Sequence, residues 1–269
     1  MEEQSYFTNQ MKASLEDKVD SRDPSLISMS SIGHCARQLA YRVHGVEGKP
    51  LTWRAQMIFN DGDWTHTQLR SMLFQSLKKS GSCFTLCKEE ADVEFSGVSG
   101  HIDGVLEHSK DCTLTGPDHV SMLLEVKSMN DRAFCELKKE HQIPWEYRCQ
   151  VSGYLAASGM QHAIIIAKNK NTGDLAEYRY TIERDLLVNR MVVIDAIASS
   201  DDPEEVARDY EPNNRGNLPW QCNYCPFVSL CWRDYELQEK KGRKFQINYK
   251  MYQTGKAIDN DKKAEAPTE

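Results

Sequence analysis

The sequence predicts a mixed α/β fold with one central β-sheet. Two apolar runs, at residues 121–126 and 162–167, are typical of strands that are buried on both faces. Other strand patterns adjoin these runs, and stretches with apolar residues at helical spacing lie between them. The resulting order is helix, three strands, helices, two strands, helix and a cysteine-rich segment. That order is typical of a single sheet with helices packed on its faces.

The first half of the chain predicts two helices followed by two strands. These four elements cover about 33–43, 54–79, 84–95 and 98–106. Ser30 and Ser31 precede the first helix and are typical N-cap residues. We expect a break in the second helix, where Asn-Asp-Gly-Asp occupies 60–63. The pair Ser96-Gly97 predicts a hairpin turn between the two strands.

The second half continues the alternation of helices and strands. After the apolar run at 121–126, the predicted elements cover about 132–140, 144–158, 162–167, 175–182 and 183–199. Pro144 suits the first turn of its helix, because its missing N–H group would have no intrahelical partner there. A linker at 201–219 leads to the cysteine-rich segment. We expect a polar N-terminal segment at 1–30 and a single domain at 31–240 that includes the cysteines. A basic to disordered tail should follow at 241–269.

Composition and charge narrow the class of protein. With 269 residues, 40% of them apolar and 27% charged, the chain can bury a core as one large domain or two small ones. No stretch approaches the roughly 20 apolar residues of a membrane helix, and Met1–Ser5 is too polar for a secretory signal. We therefore expect no membrane partner and a cytoplasmic protein, or one in the host cytoplasm if the chain is viral. The net charge of −7 argues against a protein that wraps nucleic acid and leaves substrate contact to local basic patches.

An acidic centre follows from two strand segments. Side chains two residues apart on a strand point to the same face, so Glu125 and Lys127 can address one site. Asp103 lies one hairpin upstream, in the preceding predicted strand, where it can sit beside Glu125. Two carboxylates with the carbonyl of Val126 suit a hard divalent ion, Mg²⁺ or Mn²⁺. Lys127 would orient a bound water and offset the charge that develops on a phosphodiester during cleavage.

His66 and Asp118 are two further candidates for this site. The His66 imidazole would complete the site and shift its preference toward Mn²⁺, although a histidine on a helix surface explains this residue equally well. Asp118 precedes Glu125 by seven residues and also forms a P-D…E-x-K string. We favour Asp103 over Asp118, because Asp118 falls in a Gly-Pro loop rather than in a strand.

Gln150 and Tyr154 are spaced i, i+4 and therefore share one helix face. They could hold the Lys127 side chain or a DNA phosphate. The alternative for Tyr154 is packing in the core with neighbouring apolar residues.

Four cysteines predict a soft metal site. Cys222, Cys225 and Cys231 form a C-x2-C-x5-C pattern, and Cys35 supplies a distant fourth thiolate. Such a site would join the two ends of the fold around the acidic centre. The spacing alone fits tetrahedral zinc and an iron–sulfur cluster about equally. The chain has nine cysteines, and an odd number fits poorly with a disulfide framework. We expect the other five to be thiols without a metal role, at Cys83, Cys87, Cys112, Cys135 and Cys149.

These residues, in this order, resemble the PD-(D/E)XK nuclease superfamily, and more closely its RecB-like branch with an iron–sulfur cluster. That branch includes CRISPR-associated exonucleases of spacer acquisition, related viral exonucleases and the nuclease domain of AddB-type recombination proteins. The matching pieces span most of the chain and are Cys35 with Arg37 and Tyr41, Gly62 with His66, Gly100–Asp103, Glu125–Lys127, Gln150 with Tyr154, and Cys222, Cys225 and Cys231.

The resemblance implies a restriction-endonuclease-like core, with a mixed central sheet flanked by helices, and a terminal iron–sulfur cysteine module. It implies that Lys127 is the catalytic lysine and that Gln150 and Tyr154 support it. It also implies four metal ligands, which are His66, Asp103, Glu125 and the Val126 carbonyl. It also implies a [4Fe–4S] cluster on Cys35, Cys222, Cys225 and Cys231. Two departures are Ala36, where relatives often have proline, and a somewhat long loop at 108–120.

The function that the resemblance implies is a Mg²⁺- or Mn²⁺-dependent DNA exonuclease that acts on single-stranded or frayed DNA, 5′ to 3′ by analogy. Spacer-acquisition or recombination proteins are the implied protein partners. Two alternatives stay open. One is a DNA-end-processing endonuclease within such a complex, and the other is a non-catalytic DNA-binding scaffold with a structural metal site.

Overall fold

The computed structural model describes residues 6–16, 26–113, 120–240 and 244–255. The chain divides into two compact units. The sheet unit consists of the residues up to His34 and of Leu51–Asp195, and the cysteine unit consists of Cys35–Pro50 and the residues from Ala196 onward. The loop that contains Asp118 and the last dozen residues, which were predicted to be disordered, lie outside the described residues.

The sheet unit contains a five-stranded mixed sheet and a separate two-stranded hairpin. The strands of this unit are β1 (Phe84–Cys87), β2 (Asp92–Phe95), β3 (Val98–His101), β4 (Gly104–His108), β5 (Met122–Met129), β6 (His162–Asn169) and β7 (Leu175–Thr181). The large sheet has the order β1-β4-β5-β6-β7, and β2 pairs with β3 in the hairpin. Only β5 and β6 pair in parallel among the strands of the large sheet. The predicted mixed sheet is confirmed.

Helices flank the sheet and also build part of the cysteine unit. The helices that the structure describes include α1 (Tyr6–Glu16), α2 (Ala36–Val43), α3 (Trp53–Ser80), α4 (Asp131–Glu140), α5 (Trp145–Ser158), α6 (Arg184–Ser199), α7 (Trp220–Asn223) and α8 (Val228–Cys231). A 3₁₀ turn at Met29–Ser31 precedes α2. The predicted mixed α/β fold with flanking helices is therefore confirmed.

The core of the sheet unit forms because β5 places its apolar side chains opposite α3. Leu124 and Val126 are fully buried and pack in one cluster with Leu69 of α3, Leu86 of β1 and Leu106 of β4. Each buried side chain of this size contributes about 1.5–3 kcal/mol relative to an exposed one. Because Leu124 and Val126 face this cluster, the alternate residues of β5 point to the other face of the sheet.

The predicted break in α3 is wrong, because the helix runs without interruption from Trp53 to Ser80. A glycine in a helix interior costs only about 1 kcal/mol relative to alanine, and the rest of this long helix outweighs that cost. The Thr65 hydroxyl donates to the Asp61 carbonyl at 2.9 Å, so a polar side chain near Gly62 also bonds within the helix. Thr52 accepts a hydrogen bond from the Ala55 N–H group and caps the start of α3.

The two long predicted strands are each split in the structure. The segment predicted at 84–95 forms β1 and β2, and the segment predicted at 98–106 forms β3 and most of β4. The hairpin turn at Ser96-Gly97 is confirmed, and both residues have positive φ angles, 50° and 77°. Each predicted strand is divided because its first and second parts pair in different sheets. The predicted N-cap at Ser30-Ser31 is wrong, since Cys35 occupies the N-cap position of α2.

The cysteine unit has a small core of its own. Trp232 is 1% exposed and packs with Phe245, Ile247 and Tyr252. An antiparallel pair of strands, β8 (Gln238–Lys240) and β9 (Lys244–Gln246), belongs to this unit and was not predicted from the sequence. In the predicted linker at 201–219, the Asp209 carboxylate accepts a hydrogen bond of 2.9 Å from the Ala36 N–H group at the start of α2.

Candidate active site and cysteine site

Glu125 and Lys127 form a buried ion pair on β5. Glu125 is 2% exposed, and its Oε1 atom lies 2.6 Å from Lys127 Nζ. The two-residue period of a strand brings these side chains to the same face, as the sequence predicted. A buried carboxylate is stable only with such a partner, because desolvation of an isolated charge is costly.

Asp103 connects α3 to β5. Its Oδ1 atom lies 2.7 Å from His66 Nδ1, and its Oδ2 atom accepts a hydrogen bond of 2.7 Å from the Val126 N–H group. The prediction that Asp103 lies within a strand is wrong, because it occupies the short break between β3 and β4. The break exists because the chain passes there from the two-stranded hairpin to the large sheet. Asp103 and His66 thus meet next to the strand that carries Glu125.

Lys127 is held by a side chain of α5. Its Nζ atom donates to Gln150 Oε1 at 2.8 Å, and Gln150 Nε2 donates to the Tyr154 hydroxyl at 3.3 Å. The Lys127 ammonium also lies 4.6 Å from the centre of the Tyr147 ring. The structure therefore gives Gln150 the first of its two predicted contacts, with Lys127. Tyr154 is 3% exposed, which fits the predicted alternative of core packing, and it reaches Lys127 only through its hydrogen bond with Gln150.

Two glycines allow Tyr154 and the 3₁₀ turn at Met29–Ser31 to approach closely. A Cβ atom on Gly100 would lie 2.8 Å from Tyr154 Cε1 and 2.6 Å from Met29 Cβ. A Cβ atom on Gly153 would lie 2.2 Å from Met29 Sδ. Such distances are well below ordinary contact, so any side chain at these positions would displace Met29 or Tyr154. The glycines therefore allow the close packing around the tyrosine that supports Gln150.

The electrostatics of the pair follow from burial and from the proximity of opposite charges. Burial raises the pKa of the Glu125 carboxyl above its usual range, although the neighbouring Lys127 ammonium opposes this shift. For Lys127, burial lowers the pKa, but the Glu125 carboxylate outweighs this effect and the pKa is raised overall. Lys127 therefore remains protonated at neutral pH and can act as a hydrogen-bond donor.

Arg70 and Tyr147 contribute to this site but were missed by the sequence analysis. Arg70 is 7% exposed, its Nη1 atom lies 3.6 Å from Asp103 Oδ1, and its guanidinium also contacts Glu89 and Glu90. The sequence did contain a pattern that places Arg70 near this site, because Arg70 follows His66 by four residues and so lies on the same face of α3. Tyr147 in turn precedes Gln150 by three residues on α5, which also places the two on one face.

The side chains around Asp103 have the donor chemistry for a hard divalent ion. His66, Asp103, Glu125 and the Val126 carbonyl offer one imidazole nitrogen and several oxygens, which fit Mg²⁺ or Mn²⁺. His66 and Asp103 are already adjacent. Among the described residues, however, His66, Asp103 and Glu125 do not offer three ligand atoms within 4.8 Å of one another. Binding of one ion by all three therefore requires their side chains to move closer together.

The four cysteines predicted to bind a metal line a single cavity in the cysteine unit. Cys35 precedes α2, Cys222 lies in α7, Cys225 follows α7, and Cys231 ends α8. Tyr41, Phe227 and Trp232 line the same cavity. Burial raises the pKa of both Cys222 and Cys225 to about 12. Thiols in such an apolar cavity stay neutral unless a cation stabilises their thiolate form.

Arg208 supplies a positive charge beside this cavity and was missed by the sequence analysis. Its Nε atom donates to Cys231 Sγ at 3.2 Å and its Nη2 atom donates to the Cys231 carbonyl at 2.6 Å. The guanidinium lies 4.6 Å from the centre of the Trp232 ring. These contacts hold the Arg208 guanidinium beside the Cys231 sulfur.

The separation of the four thiols bears on the metal they could hold. Zinc–thiolate bonds are about 2.3 Å, so the sulfurs of a tetrahedral zinc site lie roughly 3.8 Å apart. In the described part of the chain, no three of these four sulfurs lie within 4.8 Å of one another. A zinc ion held by all four thiolates would therefore require these side chains to move closer together.

Two of the remaining five cysteines are not free thiols, so the prediction was wrong for these two. Cys83 and Cys112 are joined by a disulfide bond, with their Cα atoms 5.8 Å apart. The pairing of β1 with β4 places Phe84 opposite His108, and beyond this pair the Ser109 N–H group donates to the Cys83 carbonyl. The Cys112 N–H group donates in turn to the Ser109 carbonyl, which brings Cys112 close to Cys83. Cys87, Cys135 and Cys149 are free, as predicted.

In the part of the chain that the structure describes, no helix combines the length and the apolar character that crossing a membrane requires.

Comparison with known proteins gave one match to a family and several similar structures. Residues 88–161 match the model of a YqaJ-like viral recombinase domain. No curated protein in the comparison matches the chain. The protein SSO0001 is 16% identical with a TM-score of 0.47, and the match covers 85% of this chain and 97% of that protein. The alkaline exonuclease LHK-Exo from Laribacter hongkongensis is 14% identical with a TM-score of 0.43, and the match covers 70% of this chain and 90% of that enzyme.

A phage-related exonuclease from Haemophilus somnus 129PT is 12% identical with a TM-score of 0.39, and the match covers 64% of this chain and 92% of that protein. The segment that matches the family model includes Asp103, Glu125, Lys127, Gln150 and Tyr154. Residues 88–161 are therefore similar in sequence to a YqaJ-like viral recombinase domain, and the similar segment contains the five side chains predicted to act in catalysis.

Proposed function

We propose that this protein is a divalent-metal-dependent deoxyribonuclease that cleaves DNA as an exonuclease. The observation that carries the proposal is the arrangement around β5. Glu125 and Lys127 are paired at 2.6 Å, and Asp103 accepts a hydrogen bond from the backbone of Val126, the residue between them. Two carboxylates and a lysine in this arrangement have the chemistry that hydrolysis of a phosphodiester needs. The match of residues 88–161 to a YqaJ-like viral recombinase domain supports a DNA substrate.

Each side chain has a defined role in the proposed reaction. His66, Asp103, Glu125 and the Val126 carbonyl would hold Mg²⁺ or Mn²⁺. When bound, this ion would polarise the scissile phosphate and lower the pKa of a water molecule. Lys127 would donate a hydrogen bond to the attacking water or to a phosphate oxygen, where negative charge develops.

Supporting side chains keep the proposed catalytic lysine in position. The hydrogen bond from Lys127 to Gln150 and that from Gln150 to Tyr154 restrict the conformations of the lysine side chain before substrate binds. Such preorganisation lowers the reorganisation needed to reach the transition state. Tyr147 limits the same side chain from a third direction.

We propose single-stranded or frayed DNA as the substrate, cleaved 5′ to 3′ by analogy with RecB-like exonucleases. Trp145 supports a single strand, because it is 44% exposed at the start of α5, the helix that carries Gln150. An exposed indole can stack on unpaired bases without reading their sequence. Spacer-acquisition or recombination proteins are the proposed partners, in the cytoplasm of a cell or of an infected host.

We further propose that Cys35, Cys222, Cys225 and Cys231 hold a [4Fe–4S] cluster with a structural role. Their placement around one cavity of the cysteine unit supports a site that all four share. Anaerobically purified protein should then contain iron and sulfide and absorb broadly near roughly 400 nm, as clusters with thiolate ligands do. A colourless protein with zinc on these four cysteines would contradict this part of the proposal and leave the nuclease site untouched.

The nuclease proposal is tested with oligonucleotides labelled at the 5′ or the 3′ end, as single strands and as duplexes, with Mg²⁺ or Mn²⁺. We expect early release of mononucleotides from 5′-labelled single strands. Lys127→Ala should lower the rate by about 10²–10³-fold, since it removes one preorganised donor. Lys139→Ala is the matched control, because Lys139 is exposed on α4.

Each alternative function has its own outcome in this assay. Cleavage of circular single-stranded DNA would show an endonuclease, in place of the proposed exonuclease. Well-folded wild-type protein that binds DNA but cleaves none of the substrates with either ion would contradict the enzymatic proposal in favour of a scaffold.

A further inference from the structure

The ligand types at the edge of the large sheet are those of a metal site. The sulfurs of Cys83 and Cys112 and a ring nitrogen of His108 all lie within 4.8 Å of one another. Two thiolates and one imidazole are ligands that zinc prefers, and three protein ligands with a water complete a tetrahedral zinc site. All three residues are partly buried, which limits competition from bulk water.

The backbone holds these three residues together without help from the disulfide. Cys83 directly precedes β1, and its carbonyl accepts a hydrogen bond of 2.8 Å from the Ser109 N–H group. The Cys112 N–H group donates to the Ser109 carbonyl at 3.2 Å. His108 lies opposite Phe84 in the pairing of β1 with β4, and its N–H group donates to Ser121 Oγ at 3.0 Å. None of these hydrogen bonds involves the disulfide, so reduction should leave the backbone of the three residues close together.

We propose that Cys83, His108 and Cys112 form a zinc site in the reduced protein, and that oxidation of the two thiolates to the disulfide releases the zinc. Reduced Cys83 and Cys112 provide the two sulfur ligands and His108 provides the nitrogen. The same two sulfurs cannot be bonded to each other and act as thiolate ligands at once. Zinc binding and disulfide formation at this position are thus mutually exclusive.

The oxidation step balances with a peroxide as the oxidant. Formation of the Cys83–Cys112 bond removes two electrons from the two thiolates. Hydrogen peroxide takes up these electrons with two protons and leaves as two molecules of water. Zinc leaves as Zn²⁺ without a change in oxidation state, since it has no redox chemistry of its own.

The site differs in place and in chemistry from the other candidate metal sites of this protein. It shares no residue with the acidic site around Asp103 or with the four cysteines of the cysteine unit. It offers sulfur and nitrogen, so it should take zinc rather than Mg²⁺ or Mn²⁺. The inference is independent of the proposed nuclease function.

The first test measures zinc in protein that has been reduced, exposed to excess zinc and freed of unbound metal. Wild-type protein should retain one zinc ion more per chain than the Cys83→Ser, Cys112→Ser and His108→Asn variants. Cys135→Ser is the matched control, because Cys135 is an exposed free cysteine on α4 and should retain the wild-type content. Equal zinc content in wild type and in all three site variants would overturn the proposal.

A second test needs only the wild-type chain and so does not depend on whether the variants fold. In reduced protein, zinc should slow alkylation of Cys83 and Cys112 by about tenfold or more, because a metal-bound thiolate is a poorer nucleophile, and should leave Cys135 unaffected. Peroxide should then release one equivalent of zinc and yield a peptide pair linked through Cys83 and Cys112. Unchanged alkylation of both thiols with zinc, or disulfide formation without zinc release, would overturn the proposal.

Discussion

The backbone N–H group of Val126 donates a hydrogen bond of 2.7 Å to Oδ2 of Asp103, across 23 positions of the sequence. Val126 stands between Glu125 and Lys127 on β5, while Asp103 lies in the break between β3 and β4. This hydrogen bond thus connects the Asp103 carboxylate to β5, the strand that carries Glu125 and Lys127. Because the second oxygen of Asp103 contacts His66, the same side chain also links α3 to that strand.

Asp103→Asn should separate catalysis from folding. The side-chain oxygen of asparagine can still accept the Val126 N–H group, so we expect the free energy of unfolding to change by only about 1 kcal/mol. Loss of the negative charge should weaken metal binding and lower the single-turnover cleavage rate by about 10²-fold or more. The rate is measured at saturating DNA over a range of Mn²⁺ concentrations, together with unfolding in urea.

Asp92→Asn is the control for this change. Asp92 is exposed in β2 and pairs only with the exposed His101 among the described ion pairs, at 2.7 Å. Its replacement should leave the cleavage rate unchanged. A wild-type rate in Asp103→Asn would remove Asp103 from the proposed metal site.

The part of the site that the sequence predicted correctly depends on local periodicity. The period of a strand brought Glu125 and Lys127 together, and the i, i+4 spacing of a helix brought Gln150 and Tyr154 together. These relationships need no knowledge of which strands pair, so a single sequence suffices to predict them.

The part that the sequence did not predict depends on long-range pairing. The position of Asp103 in a break follows from the passage of the chain between two sheets. The disulfide between Cys83 and Cys112 follows from the register of β1 against β4. The position of Arg208 beside Cys231 follows from packing of the predicted linker in the cysteine unit. None of these features has a pattern within one window of the sequence.

Gly62→Ala should stabilise the protein. A Cβ atom on Gly62 would have no atom within 4 Å outside its own turn, and α3 is continuous at this position. Replacement of glycine by alanine in a helix interior should raise the free energy of unfolding by up to about 1 kcal/mol. Urea unfolding of the variant and of wild type tests this directly. A decrease in stability would indicate that α3 is broken near residue 62, as the sequence pattern had suggested.

Gly100→Ala should have the opposite effect. The added methyl group would lie 2.6 Å from Met29 Cβ and 2.8 Å from Tyr154 Cε1, so one of these side chains must move. We expect a loss of about 1–3 kcal/mol in the free energy of unfolding, as in other overpacked cores. Displacement of Tyr154 should also lower the cleavage rate, because Gln150 would lose its support. Unchanged stability would mean that the contact between the hairpin and Tyr154 is looser than the structure indicates.

Arg208→Gln should make the proposed cluster less stable. Glutamine cannot supply a positive charge to the Cys231 sulfur, which Arg208 contacts at 3.2 Å. We expect the absorbance of the cluster to decay several-fold faster on exposure to air or to a chelator, while the iron content of freshly prepared protein stays close to that of wild type. Arg233→Gln is the control, because Arg233 is half-exposed and pairs with Glu204 at 2.9 Å. Equal decay rates in all three proteins would show that Arg208 has no influence on the cysteine site.

Glu183→Gln should change the pH dependence of stability. The Arg148 guanidinium donates two hydrogen bonds to the Glu183 carboxylate, and together with one from the Tyr180 hydroxyl these hold the pKa of Glu183 below its ordinary value of 4.5. Because the carboxylate is favoured in the folded state, its contribution to stability is fully present above pH 4.5 and is lost as the pH falls through the lower folded value. Glu183 is partly exposed, so solvent screening limits that contribution to about 1 kcal/mol.

Urea unfolding of wild type and Glu183→Gln at several pH values measures this contribution. The difference in free energy of unfolding should be constant from pH 7 to about pH 5 and should shrink as the pH is lowered further. Glu136→Gln is the matched control, because Glu136 pairs with exposed Arg132 at 2.9 Å on the surface of α4. That exposed pair should contribute little to stability, because solvent screens its charges. A difference for Glu183→Gln that persists unchanged to pH 3 would mean that ionisation of Glu183 is not linked to folding, and that the loss comes from packing alone.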